Sequence, residues 1–146
     1  MTRQARMQAK SSHGQWLRER RLEAYTALLG ASDAVHDTLN LVVGHTMTTS
    51  PPPPDDRRAA WRQVNDALKS HDRAARAVTV LGPEAVAEEV TAMREALHNL
   101  VSVWRDPADP PADRRAVNDA TANQAWEDAT TVYLAAVEFA LQGFRD

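Results

Sequence analysis

The residue types in this chain that can do chemistry are histidines beside carboxylates. Glu95-Ala96-Leu97-His98 is an E-x-x-H pair, and Asp33-Ala34-Val35-His36 repeats the spacing with aspartate. In di-iron helical bundles such pairs hold metal, but only when they project inward. The apolar residues Met93, Leu97, Leu100 and Trp104 set the inward direction of their segment; Glu95 falls nearly opposite and His98 more than a quarter turn away. Asp33 lies off the core face of its own segment in the same way.

A second grouping survives that test. His36 and His71 fall at one level when each is measured from its nearest break, and Asn123 and Glu127 come close to that level on the last segment. Two imidazoles, an amide and a carboxylate suit a divalent metal or a polar ligand. They equally suit a buried polar layer in which each histidine is hydrogen-bonded and the layer fixes register. Lower down, Arg21 falls within an apolar face at the height of Glu138, which predicts an ion pair. Arg18, Arg20 and Arg21 together offer an alternative anion site.

The elements that must position these groups are helices. Alanine and leucine carry a 43% hydrophobic composition with 5% aromatics and five glycines, a balance that favours packed helices over strands. Breaks stand at SPPPPDD (50–56), LGP (81–83) and DPADPPAD (106–113). Between them the helices run over about 4–48, 56–80, 84–105 and 112–143. Asp55, Asp56, Glu84 and Asp113 stand in first turns, where the helix dipole favours acid. The apolar stripes are Leu17, Leu28, Val35, Leu39, Val42 and Val43 on the first helix, and Trp61, Val64, Leu68, Ala75 and Val78 on the second. The third carries Val86, Val90, Met93, Leu97, Leu100 and Trp104; for the fourth the spacing gives Ala116, Ala120, Leu134, Val137 and Leu141.

Short connections make successive helices antiparallel neighbours. The expectation is an all-α, antiparallel up-down-up-down four-helix bundle with an over-long first helix. At ~1.5 Å per residue that helix reaches roughly 65–70 Å, against about 35–40 Å for the next two. Residues 1–12 therefore project as a basic arm carrying Arg3, Arg6 and Lys10, and residues 13–146 form the bundle. Trp16 falls level with Phe144. The PPPP run reads as a stiff interhelix spacer.

Several function classes lack their residues. There are no cysteines, hence no disulfides, thiolate nucleophile or sulfur-built zinc site. No Gly-rich phosphate loop, H-E-x-x-H or nucleophile elbow occurs, and the reading is of a protein that is not an enzyme and needs no cofactor. A net charge of -3 and pI near 5.9 argue against nucleic-acid binding by the whole chain. No apolar run reaches the ~20 residues of a membrane span, and no secretory signal precedes the bundle; this points to the cytoplasm.

Trp16-Leu17-Arg18, followed by Arg21, Ala24 and Tyr25, gives W-L-R-x-x-R-x-x-A-Y. This opening, with Val80-Leu81-Gly82-Pro83 and Val86 at the later turn, resembles uncharacterised small helical-bundle proteins of actinomycetes. The resemblance implies a helical bundle and carries over no catalytic residue. Function is then expected in contact with another protein, most simply a second copy in a homodimer. The alternative is metal or small-ligand binding by the His36, His71, Asn123 and Glu127 layer.

Overall fold

A computed structural model describes residues 2–105 and 112–143, with the side chains of 112 and 113 left aside. It contains four helices: α1 (Arg3–Met47), α2 (Pro54–Leu81), α3 (Glu84–Arg105) and α4 (Ala112–Gln142). They form an antiparallel up-down-up-down bundle in which α1 packs most closely on α2 and α3 on α4. At 45 residues α1 is the longest. None of the described helices is long and apolar enough to cross a membrane. The DPADPPAD break, the Asp113 side chain and Phe144 lie outside what the structure describes.

Local chemistry explains where the helices start and stop. The Thr2 hydroxyl accepts from the Ala5 amide at 3.2 Å, capping α1. α2 opens at Pro54, where a missing N–H costs nothing, with Asp55 and Asp56 in its first turn. It ends at Gly82, whose φ of 66° is a left-handed conformation that favours glycine. The Gly82 amide bonds back to the Val78 carbonyl at 2.9 Å, and the Pro83 carbonyl accepts the first amides of α3.

Two apolar clusters fill the bundle. The upper one joins Val35, Leu39 and Val42 of α1 to Val64 and Leu68 of α2 and to Leu97, Leu100 and Trp104 of α3. The lower one joins Tyr25 and Leu28 to Val78, Val86, Val90, Met93 and Tyr133. Trp126 packs against both. The expected stripe of α3 is buried throughout; in α2, Ala60 is buried and Trp61 half-buried under the Arg105 guanidinium, 5.0 Å from its ring.

The expected face of α4 is corrected. Ala116 and Ala120 are exposed and Leu134 is 44% exposed, while Val137 and Leu141 are half-buried and pack on the lower cluster as expected. The helix is rotated by about one residue, so that Tyr133 is fully buried, with Ala129, Ala136 and Ala140 packed on the same cluster. Apolar residues lie all round α4, so periodicity selects no single face. The large phenol decides, because its hydroxyl finds the Tyr25 carbonyl at 3.2 Å.

Two carbonyls at the end of α2 receive donors from α1. Arg21 Nε donates to Leu81 O at 2.8 Å, and the Tyr25 hydroxyl donates to Gly82 O at 2.7 Å. A helix C-terminus leaves carbonyls without internal partners and favours a cation, and Arg21 meets both needs. Arg21 thus marks the level of the α2–α3 turn. Arg3 to Arg20 continues past it for about 27 Å at the helical rise.

Candidate functional site

Between the two clusters lies a polar layer built from all four helices. Ser32 and His71 are its buried polar residues. On the α1–α4 side, Trp126 Nε1 donates to Ser32 Oγ at 3.0 Å, and the His36 ring stacks on Trp126 at 4.7 Å between centroids. His36 Nε2 lies 3.2 Å from Asn123 Oδ1. An amide oxygen only accepts, so the network assigns the imidazole proton to Nε2 and leaves Nδ1 to accept from Asn40 Nδ2 at 3.4 Å. Asn123 Nδ2 in turn donates to Asp119 Oδ2 at 3.1 Å, and Asp119 Oδ1 accepts from Trp104 Nε1 at 2.8 Å. Donors and acceptors match along this chain from α1 through α4 to α3. Such a network holds helices in register.

The α2–α3 side is less complete. His71 is fully buried, and neither ring nitrogen has a hydrogen-bond partner. Its Nδ1 is 4.0 Å from Asp72 Oδ1. That same oxygen accepts from Arg94 Nε at 2.8 Å and from His98 Nε2 at 3.3 Å. Burial pushes the His71 imidazolium toward its neutral form and lowers its pKa below 6.5; Asp72 opposes this, while His98 and Arg94 reinforce it. At Asp72 burial works upward, but the hydrogen bonds and charges of Arg94 and His98 outweigh it and hold the carboxyl below 3.8. Beside this cluster runs an open groove of about 480 Å³ between α2 and α3. Its walls include Arg76, Thr79 and Arg94, and its floor Ala75 and Val90.

The linkage has a definite sign. Both folded-state pKa values are lowered, so the unfolded chain binds more protons and stability rises with pH across each window. The His71 contribution is complete above 6.5 and falls away as pH drops below it; the Asp72 contribution falls away below 3.8. Urea denaturation at pH 8, 5.5 and 3.5 is expected to show the midpoint falling at each step. The His71→Leu variant removes the first decrement.

Of the residues singled out from sequence, His36 and Asn123 do meet. His71 belongs to the layer but makes no hydrogen bond to them. Glu127 is exposed, its backbone carbonyl accepting from the Thr131 hydroxyl at 3.0 Å. The Arg21–Glu138 pairing is also corrected. Arg21 is directed at the α2–α3 turn, Glu138 is exposed on α4, and no ion pair joins the two. Arg3, Arg6 and Lys10 are exposed. Sequence reasoning missed Asp72 and Arg94 and set His98 aside as off the core. The available signal was spacing: Arg94 and His98 stand four residues apart and share one side of α3. Among the described residues no set of three His, Asp or Glu side chains is placed to hold a metal ion.

Outside the interior, α4 presents apolar side chains to solvent. Phe139 is 78% exposed and Val117 63%, with Val132 and Leu134 near half. No lysine or arginine occurs between Arg115 and Arg145, while Glu127, Asp128 and Glu138 are exposed. No family model, curated protein or solved structure matches the chain, so the site is interpreted from its own geometry.

Proposed function

We propose that the protein works through protein contact, and that its first partner is a second copy of itself. The observation that supports this is the outer face of α4, where Val132 and Phe139, seven positions and so about two turns apart, stand exposed on one stripe. Apolar side chains concentrated on one exposed surface mark an interaction site more often than scattered single residues do. The interior, by contrast, is spent on packing and register: on the α1–α4 side its hydrogen bonds are closed within the bundle. Phe139→Asp removes an exposed side chain, so the monomer's fold is expected to survive. Its self-association, followed by sedimentation equilibrium, is expected to weaken by about tenfold or more, equivalent to about 1.4 kcal/mol. Unchanged association would remove this face from the interface.

A second reading, small-ligand binding, is favoured by the α2–α3 groove. Arg76 stands over an apolar floor there, with Arg94 held by Asp72 on the same wall; a cation beside apolar surface suits a small anion with an apolar body. Inorganic phosphate at millimolar concentration is then expected to raise the melting temperature in wild type and not in Arg76→Gln. No shift in either protein would contradict it.

A further inference from the structure

We infer that the basic N-terminal stretch of α1 docks on the acidic outer face of α4 in a second copy, reciprocally, so that the arm is the recognition element of the dimer; this rests on the self-association reading above. The arm needs a partner for physical reasons. Residues 2–13 are exposed throughout, so nothing in the chain packs on this end of α1, and most helical stability in proteins comes from such packing. Its composition adds a second cost. No acid stands in the first turn of α1, and Arg3 and Arg6 lie at the positive end of the helix dipole. The first carboxylate in the chain is Glu19, and among the described residues Arg3, Arg6 and Lys10 have no ion-pair partner. Arg3, Arg6 and Lys10 recur at three and four residues, so they form one stripe.

The exposed face of α4 has the opposite character. Glu127, Asp128 and Glu138 are exposed with no base on α4 after Arg115, and apolar Val132 and Phe139 lie among them. Glu127 to Glu138 spans about 17 Å along the helix, and Arg3 to Lys10 about 10 Å, which the long cationic side chains extend at both ends. Met7, 64% exposed on the same arm, supplies an adaptable apolar contact for Val132 or Phe139. A bundle cannot bring its own arm back onto α4: Trp126 meets Ser32 and Tyr133 meets Tyr25, which sets the end of α4 at Gln142 near the level of Trp16, and the continuous helix α1 carries Arg3, Arg6 and Lys10 beyond it. The complementary surface is therefore met on another copy. In a two-fold dimer each arm finds the other's α4, and the contact is made twice.

Charge exchange tests this. One full-length variant carries Arg3→Glu, Arg6→Glu and Lys10→Glu; the other carries Glu127→Lys, Asp128→Lys and Glu138→Lys. All six positions are exposed, and circular dichroism checks that both variants keep wild-type helicity. Each alone is expected to dissociate at least tenfold more readily than wild type, because its arm and its α4 then carry the same sign. An equimolar mixture of the two is expected to form a heterodimer at wild-type affinity, since both contacts regain opposite charges. Dimers that persist in both single variants overturn the docking and leave self-association standing on another surface. Dissociation of the arm variant alone, with the α4 variant still dimeric, likewise overturns it. A monomeric wild type overturns both readings. If that monomer binds vesicles of anionic lipid through the arm, the arm's partner is a membrane surface.

Discussion

Tyr133→Ala lowers the stability of the bundle by about 3–5 kcal/mol, the loss typical of removing a large aromatic from a packed core. Tyr133 is fully buried and carries α4 into the lower cluster. Its hydroxyl reaches the Tyr25 carbonyl on α1, and the Tyr25 hydroxyl reaches the Gly82 carbonyl at the α2–α3 turn. The two phenols therefore relay α4 to α1 and α1 to the turn. Tyr133→Phe keeps the ring and loses one neutral hydrogen bond, for a cost of about 1 kcal/mol; Tyr25→Phe also strips the Gly82 carbonyl and costs about 1–3 kcal/mol. Urea denaturation followed by helical circular dichroism separates these values. Burial raises the pKa of both phenols, assisted at Tyr133 by Tyr25 and opposed at Tyr25 by Arg21. Their contribution is thus complete below the ordinary 10.0 and lost as pH climbs above it.

The second large effect has the opposite sign. His71→Leu is expected to stabilise the protein by about 1–3 kcal/mol, because it replaces a buried ring with two unsatisfied nitrogens by an apolar side chain. Leucine belongs among its neighbours, since the flanking positions of the stripe, Leu68 and Ala75, are already apolar. His71→Ala removes the same nitrogens but opens a cavity, so it is expected to be less stable than His71→Leu by about 2–4 kcal/mol. The pair isolates the polar cost from the packing. Loss of stability in His71→Leu would mean that the imidazole is satisfied in solution.

The first three helices were legible because their apolar residues repeat at helical spacing and their ends carry proline, aspartate and glycine at the positions helix geometry favours. The fourth was legible in extent and illegible in orientation. Alanines surround it, and the residue that turns it inward, Tyr133, does so through a hydroxyl whose partner is 108 positions away in the chain. The same reason hid the role of Arg21. A half-buried arginine implies an oxygen nearby, and spacing along the chain nominated the Glu138 carboxylate, whereas the bundle supplies a backbone carbonyl at Leu81. Of the layer, His36 and Asn123 were found because both lie near an inward stripe at one level. Asp72, Arg94 and His98 lie at the edge of the α2–α3 seam, where a reading confined to core faces does not look.

The exposed arm and the exposed face of α4 were both visible in the sequence as charge and apolar pattern. What the fold adds is their separation: one chain holds them apart, as the proposed contact between chains requires. Salt is expected to weaken that contact, since the screening length falls to about 8 Å at physiological ionic strength and about 3 Å at 1 M. The most direct measurement is the mass of the full chain in solution by light scattering, over a rising concentration series at low salt. The mass is expected to climb to twice the 16.1 kDa of the chain and to return toward it when salt is added. A mass that stays at 16.1 kDa across the series would contradict self-association.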